Sequence, residues 1–416
     1  MIRPLDVVEP ESVGLSSDRL ARIDAHLENR YVAPGKIAGA LTLVARRGEV
    51  AWFSPLGRMD LARDKPMAPD TIFRIYSMTK PITSVAMMML YERGLFQLDD
   101  PVHRFIPEWR DLRVYRMGNH PNWITEACER PMTIRDLFTH MSGLTYDFME
   151  RTNVDRAYRR LAIGRDRQKD LRSMVETLAT LPLEFSPGTA WNYSVSTDVL
   201  GYLVEILSGR PLDEVFRTEI LEPLGMVDTG FVVPEEKIER FAANYTRGPD
   251  KQLRLEDDPA TSPYAKPTSF FSGGGGLVST AADYLRFCRM LLGGGELEGA
   301  RLLGRKTIEL MTLNHLPGGA DLASLAPGAF SETAYEGVGF GLGFSVQLDC
   351  AKSQTVGSRG EYAWGGAAST VFWIDPTEEL IVIFMTQLMP SRTFNFRGQL
   401  KSIIYPAIVD GGERVG

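Results

Sequence analysis

Strand-like segments stand at both ends of this 416-residue chain, and helical patterns fill its middle. No other feature narrows the fold as much, because a strand satisfies its edge only by pairing. Near the N-terminus, Gly39–Arg46 and residues 49–53 read as a hairpin turning at Arg47-Gly48. Near the C-terminus, residues 341–348 read as one strand, and residues 369–374 and 380–385 flank a turn at 375–379. The last two runs are almost continuously apolar, the pattern of strands covered on both faces. A helix over 17–29, with Leu20, Ile23 and Leu27 on one side, and another over 397–409 can supply that cover. The segment 71–240 is mostly helical pattern broken by Pro and Gly. These elements predict an α/β fold in which strands from the two chain ends share one sheet. Residues 1–70 and 270–416 then form a discontinuous α/β lobe. Residues 71–269 form a mainly helical lobe, with a site in the cleft between them.

Composition removes several classes of function. Apolar residues are 44% and charged residues 24%, as in an ordinary globular chain. A net charge of -7 suits neither a nucleic-acid binder nor a ligand of anionic membrane. Cys128, Cys288 and Cys350 are far apart and odd in number, which predicts reduced thiols rather than a disulfide framework. No H-E-x-x-H or C-x-x-C occurs, so neither metal nor cofactor is expected. The first 15 residues carry early acids and no apolar h-region, and the longest apolar stretches, 85–91 and 380–385, are too short to span a bilayer. The expectation is a cytoplasmic protein whose partner is a small molecule.

Three segments carry chemistry. Ser77-Met78-Thr79-Lys80 precedes Ile82, Val85, Ala86, Met89 and Leu90, which follow helical spacing up to a stop at Gly94. Pro81 is tolerated only in a first turn, so the helix begins close to Ser77. Residues three apart are neighbours there, which brings the Lys80 amine to the Ser77 hydroxyl in the positive field of a helix N-terminus. A serine nucleophile needs that arrangement, although S-x-x-K also arises by chance with its Lys in solvent. Tyr193 lies just before a second helical pattern, Val199, Leu200, Leu203 and Leu207, stopped by Gly209. It reads either as a packing residue or as a proton relay whose phenolate a nearby ammonium stabilises. Trp364-Gly365-Gly366-Ala367 precedes the strand at 369–374 and reads either as a turn or as a place where substrate approaches the backbone. A backbone N–H there can join that of Ser77 as an oxyanion hole.

In that order, Ser77-x-x-Lys80, Tyr193-Ser194 and Trp364-Gly365-Gly366 resemble the serine β-lactamase and penicillin-binding-protein superfamily. The set is most similar to the family VIII carboxylesterases, relatives of class C β-lactamases. Residues 137–144, 274–280 and 339–343 add to the resemblance, which spans residues 12 to 410. It implies a sandwich of a mostly antiparallel sheet flanked by terminal helices, plus a helical lobe. It also implies an acylated Ser77, with Lys80 and Tyr193 sharing its deprotonation. The N–H groups of Ser77 and Ala367 would form the oxyanion hole, with Trp364, Gly365, Gly366 and Val195 lining the substrate site. Trp364 replaces a family Lys that would anchor a substrate carboxylate, and Val195 replaces a family Asn that would bind an amide. Both changes favour neutral esters of short to medium chain length over β-lactams and peptides, with weak β-lactamase activity as a residual expectation. Alternatives that share these residues are a β-lactamase or D-amino-acid peptidase and an acyltransferase using an alcohol; a non-catalytic scaffold is the remaining one.

Other residues were weighed beside these. Tyr146 and Phe148, with Phe270 and Phe271, are candidates for an acyl pocket or plain core. No G-x-S-x-G elbow occurs, and His140, at the end of a helix opening with Thr133-Ile134-Arg135-Asp136, is read as structural, satisfying terminal carbonyls. The glycines 273–276 indicate close packing, and Arg359 reads as a solvated surface charge.

Overall fold

A computed structural model describes residues 5–326, 328 and 335–410. Its main sheet has eight strands: β1 (Gly39–Arg46), β2 (Glu49–Asp60), β3 (Lys65–Pro66), β4 (Val338–Phe340), β5 (Ser345–Gln347), β6 (Tyr362–Gly365), β7 (Val371–Asp375) and β8 (Leu380–Thr386). Their spatial order is β4-β5-β6-β7-β8-β1-β2-β3, antiparallel throughout. The two chain ends meet where β1 pairs with β8, in a register that sets Leu43 opposite Ile383 and Val44 opposite Val382. The β1–β2 turn has Arg47 at φ 54° and Gly48 at φ 83°. Two successive positive φ angles are what a tight hairpin with the native strand twist requires.

The apolar runs of β1 and β8 serve two cores by alternation. Leu41, Leu43, Ile381 and Ile383 face one, and Val44, Val382 and Phe384 face the other. On the second side lie helices α1 (Ser17–Leu27), which buries Leu20, Ile23 and Leu27, and α5 (Phe396–Ile404), which buries Leu400 and Ile404. On the first side α4 (Ala281–Leu292) packs Tyr284 against Phe372, ring centres 5.1 Å apart. The same core continues into the helical lobe through α2 (Thr79–Glu92) and α3 (Ser196–Ser208). All three cysteines are free, Cys288 fully buried. Among the described residues, no helix is long and apolar enough to cross a membrane.

Three sequence expectations are corrected. Residues 341–348 are not one strand: the chain turns back at 341–344, so that Phe340 pairs with Ser345 across β4 and β5. Gly343 has φ 100°, and a Cβ there would lie 2.2 Å from the Ser84 hydroxyl, so this apolar-looking run is a turn packed on α2. β2 runs on past residue 53 to Asp60, because pairing with β1 outweighs Pro55 and Gly57, and its outer side there is a sheet edge where Pro is tolerated. Arg113–Asn119 and Asn122–Ala127 form a two-stranded ribbon inside the segment read as helical. The Ile383→Ala variant, which empties a fully buried site in β8, should lose about 2–5 kcal/mol in urea unfolding without change of secondary structure.

Candidate active site

Ser77 sits in a short 3-10 turn, Tyr76–Met78, that runs directly into α2. Tyr76, the residue before it, has φ 41°. A bulky side chain in the left-handed region costs on the order of 1–3 kcal/mol and persists only where the surroundings impose it. Here Tyr76 Oη accepts from Asn244 Nδ2 at 3.1 Å, and its ring meets Tyr264 edge-on. The strained turn presents Ser77 at the N-terminal end of α2.

Lys80, a residue only 1% exposed, has its amine surrounded by protein groups. Its Nζ donates to Ser77 Oγ at 3.1 Å, to Tyr146 Oη at 2.9 Å and to the Gly274 carbonyl at 2.7 Å. Tyr193 Oη donates to the same Ser77 Oγ at 2.6 Å. The amine also lies 4.5 Å from the centre of the Tyr193 ring. Ser77 is therefore held between an amine and a phenol, each within hydrogen-bond reach. The structure brings together Ser77, Lys80 and Tyr193, the three residues to which the family resemblance assigns the reaction.

Behind this group the sequence signal was weaker. Asp198, on the first turn of α3, is buried and accepts from Ser272 Oγ at 2.5 Å and from the Gly274 N–H at 3.0 Å. Burial raises its carboxyl pKa, while the Lys80 charge and these hydrogen bonds pull it back. Asp198 thus fixes the glycine loop whose carbonyl holds Lys80. The close packing expected of that loop is present: a Cβ on Gly273 would lie 2.7 Å from the Thr197 carbonyl, and one on Gly274 2.5 Å from Asp198 Oδ2. Spacing gave no sign of Asp198, which looks like any acid in a first helical turn. Tyr146, a candidate for acyl pocket or plain core from the sequence, has its hydroxyl as a direct partner of Lys80. Burial keeps it protonated, with the neighbouring Tyr193 and two acids adding to that effect.

His140 does not satisfy helix carbonyls with its ring. Its Nδ1 is 3.2 Å from Ser194 Oγ, which continues at 2.7 Å to Ser196 Oγ and at 2.7 Å to Ser142 Oγ. The ring packs edge-on against Tyr193 at 4.9 Å. Burial, then the Lys80 charge, holds its pKa well below the usual histidine value, so the ring is neutral. It supports Tyr193 from behind.

The strand side of the site is Trp364 to Ala367. Trp364 is buried, with its ring 5.4 Å from that of Tyr193. Its indole N–H has no acceptor among the described residues. Gly366 packs so closely on the turn before Ser77 that a Cβ would lie 2.5 Å from the Ile75 carbonyl. Its N–H is used by the Thr370 carbonyl at 2.8 Å. The N–H groups of Ser77 and Ala367 donate to no protein acceptor among the described residues. Val195 is fully buried, and its N–H bonds to the Thr145 carbonyl at 3.2 Å. Phe148 is exposed and stacks on Tyr146 at 4.7 Å. Phe270 is core, Phe271 packs on Phe231, and Arg359 is exposed.

The β-lactamase family model matches residues 25–402. Protein Rv1367c of Mycobacterium tuberculosis is 39% identical over 359 residues, covering 86% of this chain and 87% of its own. Esterase EstB of Burkholderia gladioli is 33% identical over 398 residues, covering 91% and 93%. Among solved structures, EstCE1, described as a hydrolase with promiscuous acyltransferase activity, superposes with a TM-score of 0.78 at 26% identity, covering 93% of this chain and 99% of its own. The chain belongs to the β-lactamase family, and it is an enzyme of the hydrolase class.

Two outcomes follow from this geometry. Gly366→Ala should force the strand away from the Ser77 turn and lower turnover at least tenfold, seen as reduced kcat in steady-state assays. Because burial and the Lys80 charge hold the His140 pKa well below the usual histidine value, His140→Asn should leave the pKa values of the kcat/KM profile near neutral pH where wild type has them.

Proposed function

We propose that the protein is a carboxylesterase of the family VIII type that acts through a covalent acyl-Ser77. The observation that carries this reading is the double contact on Ser77 Oγ, 3.1 Å from Lys80 Nζ and 2.6 Å from Tyr193 Oη. Ser77 Oγ attacks the ester carbonyl carbon while its proton passes to the coupled Tyr193–Lys80 pair. The carbonyl oxygen becomes an oxyanion that accepts from the N–H groups of Ser77 and Ala367. The tetrahedral adduct expels the alkoxide, which takes the proton back as alcohol. Water, giving a proton to the same pair, then attacks the acyl carbonyl carbon; the C–Oγ bond breaks, the acid is released and Ser77 Oγ takes the proton back. Gly365 and Gly366 bring the backbone close to the bound ester, and Trp364 and Val195 make that wall apolar. Tyr146 and Phe148 border the acyl chain of a short to medium ester. Trp364 in place of a cation argues against β-lactams and peptides as main substrates.

A second reading rests on the promiscuous acyltransferase activity of EstCE1, and it differs in one step: an alcohol replaces water on the acyl-enzyme. Adding alcohol acceptors and measuring ester against acid in the product separates the two.

A fluorophosphonate probe should add once to wild type and not to Ser77→Ala, as read by intact-protein mass spectrometry. p-Nitrophenyl butyrate should be turned over quickly and nitrocefin slowly. Tyr193→Phe should lower kcat/KM by about 10²–10⁴-fold. Labelling of the Ser77→Ala protein, or its near-wild-type turnover, would overturn the assignment.

A further inference from the structure

The strand side of the site, Trp364 to Ala367, carries no charged side chain. The segment 146–151 leads from the site to a cluster of arginines. It begins at Tyr146, 2.9 Å from Lys80 Nζ, continues through Phe148 and reaches Arg151 after Glu150, which has φ 53°. The Arg151 guanidinium hydrogen-bonds the side-chain oxygen of Asn192. Asn192 is the neighbour of Tyr193, whose hydroxyl is 2.6 Å from Ser77 Oγ. Arg151 is thus tied to the reaction centre twice, by its backbone through Tyr146 and by its side chain through Asn192.

Beside it lies a cavity of about 300 Å3, lined by Tyr115, Glu150, Arg151, Asn153, Arg156 and Arg159 among others. Arg159 is compensated by Asp155 at 3.1 Å. Arg151 and Arg156 make no ion pair with an acid among the described residues. Glu184, whose carboxyl feels the Arg151 charge, accepts from the Thr152 hydroxyl at 2.5 Å. Three arginines against one acid, Glu150, leave the lining of the pocket net positive. A guanidinium offers two parallel N–H donors matched to a carboxylate, and an open pocket leaves room for one.

We infer that this pocket is an anion subsite, and that the natural substrates are esters carrying a carboxylate on the acyl or the alcohol arm. The inference rests on the acyl-Ser77 reading and adds the substrate class to it. Arg151 makes the principal contact, and Arg156 contributes field. Because these groups bind an arm remote from the reacting carbonyl, they act through KM and encounter rate more than through kcat.

The test compares matched esters: 4-carboxyphenyl butyrate against neutral 4-acetylphenyl butyrate, and mono-4-nitrophenyl adipate against 4-nitrophenyl hexanoate. In wild type, kcat/KM for at least one anionic ester should fall several-fold as salt screens the charge, with its neutral partner much less affected. Arg151→Ala should lower the anionic-to-neutral ratio of kcat/KM at least tenfold, mainly through KM. Arg151→Lys should recover part of that ratio, and Arg156→Ala should lower it less. An unchanged ratio for both pairs in Arg151→Ala, with the neutral esters still hydrolysed, overturns the anion subsite alone. Failure of wild type to hydrolyse the neutral esters or take the fluorophosphonate overturns the esterase reading instead.

Discussion

The burial of the Lys80 amine is the constraint on which the rest of the site depends. The amine of a lysine only 1% exposed is tolerable only if protein atoms replace its water. Here the replacements come from three separate parts of the chain: Ser77 on its own turn, Tyr146 from the loop before Asn153–Arg160, and the Gly274 carbonyl from the glycine loop. Asp198 then pins the glycine loop from α3. Each partner is needed for solvation and is by that fact placed beside Ser77. Stabilising one buried amine and assembling a reaction centre are the same structural problem.

Strained backbone also borders the same point. Tyr76, His140 and Ser369, none of them glycine, hold positive φ angles of 41°, 57° and 67°. Tyr76 precedes the serine, His140 packs on Tyr193, and Ser369 lies in the turn after Ala367. Such conformations survive because the sheet, α2 and α3 over-determine them. The antiparallel sheet supplies the rigid side: its two buried faces lock β6, and Gly366 lets that strand rest directly on the Ile75 carbonyl. This close approach brings the strand that leads to Ala367 beside the turn that carries Ser77.

Legibility followed how local each interaction is. The Arg47-Gly48 hairpin, α1, the S-x-x-K turn and the Gly209 stop of α3 each depend on a few adjacent residues, and each was readable. So was the packing role of glycines 273–276, because four in a row leave no side chain to contribute anything else. The turn at 341–344 was misread as strand because Leu342 and Phe344 are apolar, and only contact with Ser84 and α2 makes them a corner. The ribbon at Arg113–Asn119 was missed because its exposed faces show no buried stripe.

From its own residues the chain determined which elements form and which side chains carry reactive groups: a serine and an amine one helical turn apart, a tyrosine at a helix entrance, and paired glycines beside a strand. These are consequences of backbone periodicity and turn stereochemistry, which act over a few residues. Tertiary structure alone decided which of those groups meet. The contacts of Lys80 with Tyr146 and Gly274, of Tyr193 with Ser77, and of Arg151 with Asn192 join residues distant in sequence, and no local preference encodes them. They exist because burying two faces of one sheet leaves a single close-packed way to bring the chain ends and the helical segment together.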